Sequence, residues 1–216
     1  MPLFYQHTIN ATTKLGIWRI EEDENFFLAK VPLPQNITHP HKRLQHLAGR
    51  YLLQFLFPDF PYAEILIADT RKPYLPNEQY HFSISHCGEY AAAIVSSMHR
   101  VGIDIERPSD KVERIAHKFI HEKEKQFLVN GERLIVNSSP FTAYRLLFTI
   151  IWSAKEALFK WYSLGNVDFR ENMQLISNIK KQNDSLLLPF VFKKNEPVYL
   201  NITSVIFDAL VLSWVL

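Results

Sequence analysis

Acidic and apolar residues alternate in Val101-Gly102-Ile103-Asp104-Ile105-Glu106. Successive side chains of an extended strand point to opposite faces. Val101, Ile103 and Ile105 are therefore expected in a core, with Asp104 and Glu106 together on the other face, about 7 Å apart. Two carboxylates on one face repel unless a cation or a proton intervenes. Hard oxygen donors at this spacing suit Mg²⁺. The solvated acidic face of an amphipathic strand fits the same hexapeptide, and both readings stand on these residues alone.

A second group lies in Trp152-Ser153-Ala154-Lys155-Glu156-Ala157-Leu158-Phe159-Lys160. On a helix, Thr149, Ser153, Glu156 and Lys160 fall on one face, as a polar stripe on an otherwise apolar helix. A solvent-facing stripe with a Glu156–Lys160 pair is the simpler reading. Because the helix is apolar nearly all round, the stripe is expected to line a cavity, where Glu156 adds a third carboxylate and lysine meets phosphate. A third group, Ser83-Ile84-Ser85-His86, ends a strand with hydroxyl, backbone N–H and imidazole donors suited to phosphate. A structural histidine fits His86 as well. Cys87 follows it without an evident Asn or Asp orienter, so no thiol chemistry is assigned.

These residues need elements to hold them. Leu44, Leu47, Ala48, Tyr51, Leu52 and Phe55 recur at helical spacing and predict a helix from about 40 to 56, ended by Pro58 and Pro61. Strands are expected around 17–20, 26–31, 65–67 and 82–86. The apolar runs 90–95 and 101–105, separated by five residues, read as a hairpin. A helix is expected over 112–129 with an interruption at 119–122, then a loop over 131–140. A long helix follows over 141–162, and short strands run from 173 onward. Helices and strands intermix without a βαβ rhythm, which gives an α+β fold with mainly antiparallel sheets.

The 216 residues are 47% hydrophobic and 21% charged, a globular composition. A net charge of +2 gives no general attraction to nucleic acid or membrane. One cysteine excludes an internal disulfide framework. The most apolar stretch, 141–161, carries Arg145, Lys155, Glu156 and Lys160, too many charges for a span. Residues 1–10 lack a secretory pattern, so a cytoplasmic protein is expected.

Taken together, the motifs resemble those of the surfactin-synthetase-type branch of the 4'-phosphopantetheinyl transferases. That family carries a G-[IV]-[DE]-x-E strand and, further on, a W-[ST]-x-K-E-x-x-x-K helix, matched by Gly102–Glu106 and Trp152–Lys160. Its G-K-P loop, N-x-S-H strand end and F-x-x-x-x-E segment are matched by Arg71-Lys72-Pro73, Ser83–His86 and Phe119–Glu124. His41-Lys42-Arg43 to Ala48-Gly49-Arg50 is similar to the family's basic helix. The matches keep the family's order over roughly residues 40–165.

The resemblance implies two similar α+β halves in a pseudo-twofold arrangement. Residues 1–100 would contact the adenosine and phosphates of coenzyme A, which binds in a cleft, and 101–216 would carry the metal and catalytic residues. It implies Mg²⁺-dependent transfer of 4'-phosphopantetheine from coenzyme A to a serine of an apo acyl or peptidyl carrier protein, releasing 3',5'-ADP. Asp104, Glu106 and Glu156 would ligate the metal, with Glu156, Lys160 and Asp104 catalytic. Lys160 and His86 would contact the pyrophosphate. Lys72 and Pro73, with Ser83, Ser85 and His86, would line the adenosine end. Arg43 or Arg50 would meet the 3'-phosphate, and Lys155 would contact phosphate or orient the metal site. A monomer is expected, without nucleic-acid or membrane partners.

Three departures stand out: Arg71 for the family's Gly, Ser83 for its Asn, and Gly165-Asn166-Val167 for a Gly-Lys-Gly stretch. Two alternatives were weighed on the residues. A DEDD-type exonuclease shares a D-x-E strand, but Arg107-Pro108 follows here where that class has Thr-Gly, and its further aspartates find no match. A carrier-binding module without catalysis is disfavoured by the retained carboxylates and Lys160.

Overall fold

The computed structural model describes residues 2–32, 37–132, 140–208 and 210–216. The chain forms two compact units, Met1–Ile103 and Asp104–Leu216.

The first unit is a four-stranded sheet with one long helix packed on it. β1 (Leu3–Asn10), β2 (Thr13–Arg19), β5 (His81–Cys87) and β6 (Tyr90–Ser96) run in the order β1-β2-β6-β5, and each neighbouring pair is antiparallel. A short hairpin, β3 (Leu66–Ile67) with β4 (Pro73–Tyr74), precedes β5. The helix α2 (Pro40–Leu56) has proline in its first turn, where no N–H is needed for the helix. It matches the expected span. Leu47, Ala48, Leu52, Leu53 and Leu56 bury its inner face against Trp18, Ala91, Ala93 and Val95 of the sheet. A Cβ on Gly49 would meet Ile84 Cγ2 at 2.6 Å, so glycine lets α2 lie close against β5. Gln45, buried on the same helix, donates to the carbonyl of Gly88 in the β5–β6 turn at 2.8 Å.

The second unit contains α3 (Asp110–Arg114), α4 (Lys125–Glu132) and the 23-residue α5 (Pro140–Tyr162). Its strands are β8 (Met173–Leu175), β9 (Lys180–Gln182), β10 (Ser185–Phe192), β11 (Val198–Phe207) and β12 (Leu210–Val215). β7 (Gly102–Glu106) joins their sheet in the order β7-β12-β11-β10-β8, with β9 beside β10. Leu147, Ile150, Ile151, Ala154 and Leu158 of α5 bury against Leu188, Phe190, Ile202, Val211 and Val215. Burying each Leu, Ile, Val or Phe among them contributes roughly 1.5–3 kcal/mol.

The α+β class with antiparallel sheets holds, and two local expectations change. The 90–95 and 101–105 runs are not a hairpin, because β6 pairs with β2 and β5 while β7 lies beside β12. Loop length suggested the pairing, but the two runs take their strand partners from different sheets. The 26–31 region is not a strand. α1 (Glu24–Leu28) forms there, capped by Asp23, whose side chain accepts from the N–H of Phe26. The short strands expected from 173 onward are β8 to β12, with β11 and β12 paired. The expected interruption of the 112–129 helix is present as 3₁₀ turns at Ala116–Lys118 and Glu122–Glu124. Most of the expected 131–140 loop lies outside the described residues. Among the described residues, no helix is long and apolar enough to cross a membrane.

Candidate active site

β7 and α5 bring the acidic strand and the polar stripe together within the second unit. Asp104 is only 3% exposed, not solvated as a simple amphipathic strand would leave it. Its Oδ1 accepts from Lys160 Nζ at 2.7 Å, and its carbonyl accepts from Ser153 Oγ at 3.4 Å. Glu106 Oε1 accepts from the indole N–H of Trp152 at 3.2 Å. Thr149 and Ser153 are fully buried, so the stripe is not a solvent face. Thr149 turns its hydroxyl back onto the carbonyl of Arg145.

The electrostatics bind Glu156 to this group. Its pKa is pushed up from 4.5 to about 7, first by burial and then by Asp104, with Glu106 adding and Lys160 opposing. Glu106 is likewise raised to about 7, by burial first and then by Asp104, against the Trp152 bond and Lys160. Both carboxyls are thus shifted toward the protonated form beside the Asp104–Lys160 ion pair. Among the described residues, no three His, Cys, Asp or Glu side chains stand close enough to hold a metal as placed. The chemistry of the donor set nevertheless fits a hard divalent cation. It offers three carboxylates in a partly dehydrated site, whose mutual repulsion such an ion would relieve.

Lys155 does not stand where an external phosphate would reach it. It is fully buried on the face of α5 that carries Trp152 and Phe159. Its ammonium donates to Glu124 Oε2 at 2.8 Å, to the carbonyl of Phe169 at 3.1 Å and to the carbonyl of Phe119. Burial lowers its pKa, and Glu124 opposes that shift. With its three donors spent on protein acceptors, Lys155 does not present a charge to an external phosphate. The sequence marks Glu124 by its spacing from Phe119 but does not reveal this pairing, which joins residues 31 positions apart.

The first unit holds a separate cavity of about 470 Å³, lined by His46, Arg50, Ile65, Ile67, Arg71, Pro73, Ile84 and His86. α2 supplies His46 and Arg50, one turn apart, and β5 supplies His86. The imidazoles of His46 and His86 lie 5.9 Å apart. Burial lowers the pKa of His46, helped by Arg50 and Lys42. A guanidinium pair on apolar isoleucine walls suits a planar apolar group that carries phosphate. Of the two arginine candidates, Arg50 lines this cavity. Arg43 is paired with Glu24, to which its Nε donates at 2.9 Å. Pro73 lines the cavity, whereas Lys72 lies close enough to His81 to add to a pKa lowering caused first by burial. Ser83 and Ser85 are buried, and Ser83 Oγ accepts from the N–H of Ile103 at 3.2 Å.

Arg71, which stands where the family has glycine, lines this cavity. The β3–β4 turn holds it at φ 64°, a left-handed conformation that suits glycine. Its N–H donates to the carbonyl of Ala68 at 2.8 Å, and the N–H of Ala68 donates to the carbonyl of Lys72 at 2.9 Å. The glycine-type turn is therefore kept, and a guanidinium is added to the cavity lining. Asn166 similarly adopts φ 51° after Gly165.

The profile of the 4'-phosphopantetheinyl transferase superfamily matches residues 100–209, which include β7 and α5. The chain belongs to that superfamily. Among curated relatives, it is 34% identical over 121 residues to 4'-phosphopantetheinyl transferase gsp of Aneurinibacillus migulanus, covering 55% of this chain and 46% of that protein. It is 31% identical over 144 residues to enterobactin synthase component D of Escherichia coli O157:H7, covering 65% of each. The Salmonella typhi protein of that name is 32% identical over 125 residues, 56% of this chain and 49% of its own length. The matches thus span about half to two thirds of these relatives.

Proposed function

We propose that this protein transfers the 4'-phosphopantetheine moiety of coenzyme A to a serine hydroxyl of an apo acyl or peptidyl carrier protein, releasing 3',5'-ADP. The observation that carries the reading is the group formed by Asp104, Glu106, Glu156 and Lys160 on β7 and α5, inside the segment that matches the superfamily. The relative named 4'-phosphopantetheinyl transferase supports the same reaction class.

Phosphoryl-type transfer depends on positioning and on neutralising charge. Asp104, Glu106 and Glu156 would hold Mg²⁺, which when bound supplies neutralisation of the pyrophosphate charge. Lys160 is held toward this site by Asp104 and offers an ammonium to the leaving phosphate. Glu156 takes the serine proton as general base. Without a bound cation, burial and then Asp104 raise this carboxyl to about 7, within the range of a base at neutral pH. In the first unit, Arg50 and His86 receive phosphate, with Arg71 as an added cation, and Ile65, Ile67 and Pro73 flank the base. Asp104 acts by fixing Lys160 and sharing the metal.

The protein works as a monomer in the cytoplasm in this reading. The test is mass spectrometry of apo carrier proteins incubated with coenzyme A, Mg²⁺ and the purified protein. A gain of one phosphopantetheine on the carrier serine, with stoichiometric 3',5'-ADP, is expected. Intact coenzyme A with every acyl and peptidyl carrier tried would overturn the reading.

A further inference from the structure

Glu124 and Lys155 form a fully buried ion pair whose partners are all accounted for in the second unit. Both side chains are 0% exposed. Glu124 Oε1 accepts from the N–H of Leu175 at 2.8 Å, and Oε2 accepts from the N–H of His121 at 2.6 Å as well as from Lys155. Burying two charges is costly even when they pair. An apolar pair of similar volume would serve stability at least as well, so stability alone is a weak reason for this one.

The carbonyls that Lys155 holds point to what the pair does. They belong to Phe119 and Phe169. The rings of these two residues pack on Trp152, with centroids 5.1 and 5.5 Å away, the second stacked at 23°. Trp152 donates its indole N–H to Glu106. A continuous series of contacts thus runs from a charge pair inside the core to a carboxylate of the candidate active site.

We propose that the Lys155–Glu124 pair is a positioning device: by fixing the backbones of Phe119 and Phe169 it clamps their rings on Trp152, and Trp152 thereby orients Glu106. Lys155 is a positioning residue and touches no substrate. An apolar pair cannot replace it, because a methyl or methylene has no donors to hold two carbonyls. The catalytic part of this inference rests on the transferase reading. The orientation of Trp152 does not.

The test is the double substitution Lys155→Met with Glu124→Gln, which removes the charge pair without stranding a buried charge. It is made in the parent and in Trp152→Phe. In the parent, kcat for carrier modification should fall about 10- to 100-fold, the usual scale for losing an outer-shell partner, with KM for coenzyme A within about twofold. In Trp152→Phe, which has already lost the indole donor, the same double substitution should cost less than about twofold in kcat, because residues acting through one contact are not additive. The indole N–H of Trp152, assigned by its loss in Trp152→Phe, should exchange with solvent at least about 10-fold faster once the pair is gone. Full multiplicative loss in both backgrounds, or unchanged indole exchange in a folded double variant, would overturn the proposal. If the parent modifies no carrier, the transferase reading falls, and the exchange measurement still decides whether the pair positions Trp152. If the double variant does not fold, Lys155→Leu with Glu124→Gln in the two backgrounds gives the same comparison.

Discussion

Glu156 combines a ligand's charge with a base's pKa, and one substitution separates the roles. Glu156→Gln keeps the shape and an acceptor oxygen but removes the charge and most of the basicity. Turnover should fall by roughly 10² or more, with coenzyme A binding retained. Recovery at high Mg²⁺ would mark ligation as the main role, persistent loss would mark the base, and parental turnover would remove Glu156 from both. Arg71 offers the opposite pairing of stability and binding. It holds a left-handed φ that costs a non-glycine residue about 1 kcal/mol or more. Arg71→Gly should keep or raise the melting temperature while raising KM for coenzyme A several-fold and leaving dephospho-coenzyme A unaffected. Equal KM values for coenzyme A in variant and parent would show that the guanidinium does not read the 3'-phosphate.

At the level of elements, the cavity of the first unit depends on how closely α2 lies on β5. Gly49 allows that approach, with Arg50 next to it in sequence and Ile84 beneath. Gly49→Ala forces a Cβ against Ile84 Cγ2 and should cost about 1–3 kcal/mol of stability in urea unfolding, the usual scale for overpacking. Because the displaced helix carries His46 and Arg50, affinity for 3',5'-ADP should fall with it. Unchanged stability and affinity together would show that the contact relaxes without moving the helix. In the second unit, α5 carries two functional faces. Glu156 and Lys160 lie on one, and Trp152, Lys155 and Phe159 lie on the other.

The folded molecule as a whole carries a pH signature. Glu106 and Glu156 titrate near 7 in the folded protein against an ordinary 4.5. The folded state therefore holds more protons than the unfolded state between those values. Its stability should fall as pH rises from about 4.5 through 7, because both groups must then charge in a partly dry site. Without divalent ions, the melting temperature should drop by several degrees between pH 5.5 and 8 from this source. A 1 kcal/mol change moves a chain of this size by about 2–4 °C. Mg²⁺ should raise the melting temperature more at pH 8 than at pH 5.5, since it competes with those protons. A Mg²⁺ effect independent of pH would contradict ligation by these carboxylates. Replacing both residues by Gln should flatten the pH dependence.

Local periodicity made much of the protein legible before folding was considered. The spacing of Leu44 through Phe55 defined α2. The alternation of Val101 to Glu106 marked a strand, and the Trp152–Lys160 spacing put Glu156 and Lys160 on one helix face. These features depend on dihedral repeats within a few residues, so sequence determines them. Tertiary structure alone separated two neighbouring lysines, burying Lys155 against Glu124 and setting Lys160 on Asp104. It chose Arg50 over Arg43 for the cavity because Glu24, 19 residues away from Arg43, takes the other guanidinium. It also separated the 90–96 and 102–106 strands into different sheets and buried Glu106 and Glu156 near Asp104, which together raise two pKa values. Partners, burial and pKa are set by packing and electrostatic contributions from residues distant in the chain, which no short window of sequence contains.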